Sequence, residues 1–188
     1  MKKLSNRKLI YYICIIAVFA ALEFVITSFV SLPIGAGGYL NFSDLFVFLL
    51  ACLVNPIVGG AVGGISGMFS DLYLGYASFA PFTLVIKFLE GLISGYMYVL
   101  IAKKQTNEIL KIVLTFVSFI VGGIIMAGLY MIPDFITYFN ESDTSMTLNV
   151  VFLDFGFNLI QGSINACIAS ILIICFEKSK GFERINNL

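Results

Sequence analysis

"LVNPIVGGAVGGISG", residues 53–67, lies inside an apolar run that extends almost unbroken from Leu45 to Tyr73. A helix needs about 20 residues to cross the hydrocarbon of a bilayer. At 30 residues, the stretch 44–73 is too long for one crossing and short for two. Whether it crosses once or doubles back at Asn55-Pro56 decides the fold. Proline removes a helical donor and turns the preceding residue away from helical angles, which suits a tight reversal. Gly59, Gly63 and Gly67 then recur at i, i+4 and i+8, with Gly60 and Gly64 beside them. This bare face lets another helix approach closely, and folding alone is sufficient reason for it.

The rest of the chain says why a bilayer is involved. Of 188 residues, 60% are hydrophobic and 12% charged, and the mean hydropathy is +1.01. That is roughly half the charge of a soluble domain, and a core of this size cannot hide the apolar excess. Four further apolar stretches cover 9–30, 80–102, 110–132 and 150–176. The first exceeds the apolar segment of a cleaved signal peptide, and no clear cleavage site follows it.

Charge placement chooses between one crossing and two. Apart from Lys87, the basic residues cluster at 2–8, at 103–111 and at 178–184. Basic clusters belong in the cytoplasm. A single crossing would place the middle cluster outside, whereas a hairpin brings all three to one side. Asp44, Asp71, Asp134, Glu141, Asp143 and Asp154 then gather on the other side. The expectation is a single-domain, all-α, integral membrane six-helix bundle with cytoplasmic termini. Its helices fall near 9–30, 44–54, 56–73, 80–102, 110–132 and 150–176, and residues 133–149 form an outer loop.

Polar residues inside the spans need a partner or a purpose, since a mid-bilayer charge costs about 2.5–3.5 kcal/mol on insertion scales. Thr83, Lys87, Glu90 and Ser94 share one face of the fourth helix, and Asp154, Asn158, Gln161 and Asn165 share one face of the last. Such stripes face each other or a common cavity. Lys87 reads either as a structural pair with Glu90 or as a ligand contact, and Glu23 with Thr27 is a further candidate partner for it. The amides serve interhelical bonding or a ligand surface. "GGYLNFSDLF" supplies Asn41, Ser43 and Asp44 as helix caps or as a closing loop, and Tyr76 is a belt residue or a site aromatic.

Several chemistries are missing. Histidine is absent, there is no phosphate-binding GxxxxGK[ST] loop, and the four cysteines lack metal-ligand spacing. No catalytic residue, metal site or resident cofactor is expected. Six helices with a polar pocket and no engine suggest a binding subunit that borrows energy.

The stretch "GYLNFSDLFVFLLACLVNPIVGGAVGGISGMFSDLYLGYASFAPFTLVIKFLEGLISG", with Ala17 and Ala21 in the first helix, resembles the substrate-binding S components of energy-coupling factor (ECF) vitamin transporters. More narrowly it is similar to the riboflavin-transporter-like branch that includes hydroxymethylpyrimidine and pyridoxine carriers. The resemblance implies a multi-pass protein of the bacterial plasma membrane that works with a transmembrane coupling subunit and two cytoplasmic ATPases. ATP is used by those partners, and no nucleic acid is involved. It implies that the AxxxA pattern of Ala17 and Ala21 docks on the coupling subunit. It also implies a site near the outer surface, which by position maps onto Asn41, Ser43, Asp44, Lys87, Glu90, Asn158, Gln161 and Asn165. With no tryptophan, ring stacking falls to Tyr39, Tyr76 or Tyr130. The ligand implied is a pyridoxine-like or hydroxymethylpyrimidine-like molecule, with riboflavin next. An intramembrane enzyme using Lys87 and Glu90, or a structural membrane assembly protein, are the alternatives.

Overall fold

The computed structural model describes residues 6–34, 38–139 and 144–177. Lys2, Lys3, Glu141, Asp143, Lys178, Lys180 and Arg184, all used in the charge argument, lie outside the described residues. Among the described residues the helices are α1 (Asn6–Phe29), α2 (Ser43–Leu53), α3 (Pro56–Leu74), α4 (Ala80–Met97), α5 (Glu108–Phe139) and α6 (Thr144–Glu177). Strands β1 (Leu32–Ile34) and β2 (Gly38–Leu40) form a small antiparallel hairpin between α1 and α2, with Pro33 opposite Tyr39. Five of the helices are long and apolar enough to cross a membrane. The fold is therefore an all-α membrane bundle.

The run around Pro56 does double back. Asn55 adopts an extended conformation, and its side-chain oxygen accepts the Val58 N–H at 2.9 Å, capping α3 with Pro56 in its first turn. The N–H groups of Val54 and Asn55 both donate to the Leu50 carbonyl, at 3.0 and 3.2 Å. These bonds satisfy the turn within the protein, which exposed backbone in lipid would require at high cost. Eleven residues make α2 only about 16 Å long, roughly half the hydrocarbon thickness. Its first turn is thus delivered into the body of the bundle.

The glycine face seats both α2 and α4 against α3, and Gly63 meets Val47 of one and Lys87 of the other. A Cβ at Gly59 would stand 2.5 Å from the Ala51 nitrogen, whereas one at Gly60 would stand 2.5 Å from the Phe88 carbonyl. Gly91 of α4 meets Gly60 backbone to backbone, and Gly95 packs on Pro56. These contacts set α3 antiparallel to both neighbours. Phe24 packs on Tyr73, with ring centroids 5.8 Å apart, and Ala20 packs with Val58 and Val62, so α1 runs parallel to α3. Arg7, Lys8, Lys103, Lys104 and Lys111 consequently share one end of the bundle, and the β-hairpin lies toward the other. A second apolar cluster beneath α2 holds Val47, Tyr98, Ala166 and Ile173 around the stacked rings of Phe48 and Phe119, 4.7 Å apart.

Two spans differ from the sequence expectation. The α5 helix continues past 132 to Phe139, and α6 begins at Thr144 rather than 150. The outer loop expected over 133–149 is mostly helix, residues 140–143 aside. Pro133 sits inside α5, where it frees the Leu129 carbonyl without ending the helix. Around the polar residues, Phe135, Ile136, Phe139, Met146 and Leu148 still present apolar surface. Directly after α4 the helix widens: Tyr98–Ala102 forms a π-type turn closed by the Lys103 N–H on the Tyr98 carbonyl at 2.9 Å.

Candidate functional site

The short second helix explains the centre of the site. Because α2 begins partway into the bundle, Asp44 in its first turn reaches between α4 and α6. Its carboxylate accepts from Lys87 Nζ, from Gln161 Nε2 at 3.1 Å and from Asn165 Nδ2 at 3.4 Å. The Ser43 hydroxyl adds a contact at 3.4 Å. Lys87 also donates to Glu90 at 3.2 Å, as its i+3 spacing suggested. Asp44 and Glu90 are fully buried and Lys87 is 3% exposed, so the ion pairs are shielded from solvent. Lys87 takes Asp44 and Glu90; Glu23, the further candidate partner for it, lies fully buried on α1 beside Ser66 and makes no ion pair with it.

Asn41 ties the hairpin to this network. Its backbone N–H donates to Gln161 Oε1 at 2.8 Å, its carbonyl accepts from Asn165 Nδ2 at 3.1 Å, and its side chain accepts the Ser43 N–H at 2.8 Å. That last bond satisfies the first N–H of α2 from the residue before its N-cap, Phe42, which has no side-chain cap bond of its own; Ser43 and Asp44, the caps considered from sequence, are instead the first two residues of the helix. Asn41, Ser43, Asp44, Lys87, Glu90, Gln161 and Asn165 therefore form one connected set. The two polar stripes of α4 and α6 do face a common interior, with Asp44 wedged between them.

Above this network lies a cavity with a free volume of about 60 Å³. Of the expected site residues, Asn41, Tyr76, Lys87, Asn158 and Gln161 line it, while Ser43, Asp44, Glu90 and Asn165 lie behind its wall. The hairpin contributes Ile34, Gly38 and Tyr39. Tyr39 donates to Asp71 Oδ1 at 2.7 Å and packs against Tyr76, with ring centroids 5.3 Å apart. Burial, then the charge of Asp71, pushes the Tyr39 phenol well above its ordinary value, so it remains a donor. Tyr130 reaches over from α5 and donates to Thr83 Oγ1 at 3.1 Å.

Three acids on this wall were absent from the expected site: Asp71, Asp134 and Asp154. In the sequence reading all three mark one side of the membrane, and Asp154 also stands on the inward-facing stripe of the last helix. Their positions inside apolar helices carried the missing signal, because such acids face an interior rather than lipid. Thr83, Tyr39 and Tyr130 likewise join the lining.

Ala17 and Ala21 sit elsewhere. They lie with Ala20, Phe24, Ile65 and Phe69 along an apolar groove of about 740 Å³ between α1 and α3, on the outside of the bundle.

Residues 8–178 match the family described as the S component of ECF-type riboflavin transporters. The chain belongs to this family. A protein from Pyrococcus woesei, described as uncharacterized, is 40% identical over 115 residues, covering 61% of this chain and 72% of the relative. The thiamine precursor transporter HmpT of Lactococcus lactis subsp. cremoris is 28% identical over 138 residues, covering 69% of this chain and 81% of the relative. As an ECF S component the protein is a multi-pass membrane protein, and its family is one of transport subunits, not enzymes.

Proposed function

We propose that this S component binds a single-ring vitamin precursor, a substituted pyrimidine or pyridine, and hands it inward with energy from separate subunits. The observation that carries this reading is the cavity under the hairpin: aromatic rings of Tyr39, Tyr76, Phe79 and Tyr130 stand beside the amides of Asn158 and Gln161. Apolar walls with a few convergent polar groups are the usual design for a small-molecule site. Its free volume of about 60 Å³, roughly two water molecules and less than the roughly 150 Å³ that takes a benzene ring, means that any ligand requires the hairpin to open, and one ring requires less opening than a tricyclic flavin. Similarity to a thiamine precursor transporter supports the same choice. Riboflavin is the second reading, favoured by the family description and requiring the hairpin to open further.

In this proposal the hairpin end faces outside and both termini face the cytoplasm, because the described basic residues collect at the opposite end of the bundle. The groove bearing Ala17 and Ala21 receives a helix of the ECF coupling subunit, small residues permitting close approach. Two cytoplasmic ATPases on that subunit supply the energy. Mass spectrometry of the small molecules that co-purify with the protein tests the reading. An unmodified pyrimidine or pyridine at one per chain supports it, whereas a purified protein that retains and rebinds no vitamin-like molecule contradicts it.

A further inference from the structure

The charges around the cavity do not balance. Lys87 is the cation on its lining, and Asp44 and Glu90 already engage it. Asp71, Asp134 and Asp154 line the same space, each about 4% exposed or less. Asp134 Oδ2 and Asp154 Oδ1 find no hydrogen-bond partner among the described residues, while Asp71 already holds the Tyr39 phenol through Oδ1 and stands beside Thr83, with Oδ2 left open. Buried acceptors left unpaired are costly, and burial inside a bilayer protein deepens the penalty. The acids come from three helices, α3, α5 and α6, with Asp134 and Asp154 near each other across the α5–α6 seam and Asp71 on the wall formed by α3. Among the described residues no group of three Asp, Glu, Cys or His side chains converges as a metal ion would need.

We propose that Asp71, Asp134 and Asp154 form an acceptor subsite that selects ligands by a positively polarised N–H edge and rejects ligands carrying a phosphate. The amino group and protonatable ring nitrogen of an aminopyrimidine present such an edge. A carboxylate accepts from both positions in charge-assisted bonds, roughly twice as strong as neutral ones. The aromatic walls hold the ring faces while the acids take its edge. A phosphate ester would meet three carboxylates and a lysine already held by two others, so its exclusion comes from repulsion as much as from missing contacts. This inference rests on the reading that the cavity binds a vitamin precursor, and it adds which functional groups are read and by which residues.

The test is equilibrium titration of the purified full-length protein with 4-amino-5-hydroxymethyl-2-methylpyrimidine, its 4-oxo counterpart and its phosphate ester. The proposal expects the amino compound to bind at least about 10-fold tighter than the 4-oxo compound, and the ester not to compete. Asp134→Asn and Asp154→Asn should each weaken the amino compound by about 10- to 100-fold and narrow its advantage over the 4-oxo compound. Equal affinity for the two pyrimidines in the unaltered protein overturns the proposal without any variant, even if an Asn variant fails to fold. A preserved amino-to-oxo ratio in both folded variants overturns it too. Tight riboflavin binding with no pyrimidine binding overturns this inference but leaves the transport reading standing, whereas no vitamin binding at all overturns both.

Discussion

Replacing Lys87 with methionine removes the cation that Asp44 and Glu90 share while keeping most of the apolar stem. The two carboxylates are fully buried, so little solvent screens the loss. Removing one partner of a buried ion pair costs about 3–5 kcal/mol, because an uncompensated charge remains inside. At about 2–4 °C per kcal/mol for a chain of this size, the melting temperature should fall by about 6–20 °C. Because the penalty comes from stranded carboxylates, a second change should relieve it. Lys87→Met combined with Asp44→Asn and Glu90→Gln should be more stable than Lys87→Met alone, a coupling of opposite sign to simple addition of defects. Thermal unfolding in one detergent, followed by size-exclusion chromatography, reads both numbers. Ligand affinity should also fall in Lys87→Met, since Lys87 lines the cavity. A Lys87→Met variant within about 1 kcal/mol of the parent, or a triple variant less stable than the single one, would refute the shielded-pair account.

Tyr39→Phe removes the 2.7 Å bond to Asp71 that holds the hairpin over the cavity. Ligand dissociation, followed by stopped-flow tyrosine fluorescence, should accelerate about 10-fold or more, as expected for a lost bond to a charged acceptor. Because the Tyr39 phenol titrates well above its ordinary value, its contribution to stability is complete below about pH 10, where unfolded tyrosine ionises. It is lost only as pH rises through the higher folded value, so Tyr39→Phe and parent should show parallel melting curves from pH 7 to 9. Gly91→Val places a branched side chain against the Gly60 backbone and should destabilise by at least about 1–3 kcal/mol, read by the same thermal assay. Asn55→Ala deletes the cap on Val58 and should cost about 0.5–2 kcal/mol. Ala17→Leu with Ala21→Leu fills the external groove and should abolish vitamin uptake by cells while leaving ligand affinity of the isolated protein unchanged.

How far the sequence carries can be followed residue by residue. Asn55-Pro56 announces the reversal, because proline and its neighbour have few conformational options, and the basic clusters supply the expectation for its sense. The spacing of Thr83, Lys87 and Glu90, and of Asn158, Gln161 and Asn165, reveals which helix faces turn inward. Periodicity reports the face of one helix but not the depth at which another helix meets it. For that reason Asp44 reads from sequence as a helix cap or part of a loop closing over a site near the outer surface, whereas the eleven-residue length of α2 carries it to the hub of the network. The same limit hides the wall acids: Asp71, Asp134 and Asp154 lie far apart in the chain and meet only through the packing of α3, α5 and α6. Helix ends around 133–149 were misplaced because local polarity and an internal proline mimic a loop, while tertiary support lets α5 run on to Phe139.

The central claim is that the space beneath the β1–β2 hairpin holds one vitamin precursor and does no chemistry on it. Isothermal titration of the purified protein with a hydroxymethylpyrimidine, a pyridoxine and riboflavin, followed by recovery of the ligand, tests it most directly. The account predicts saturation at one ligand per chain by a single-ring compound, recovered unchanged. Absence of saturable binding by all three, or recovery of a chemically altered ligand, would contradict it.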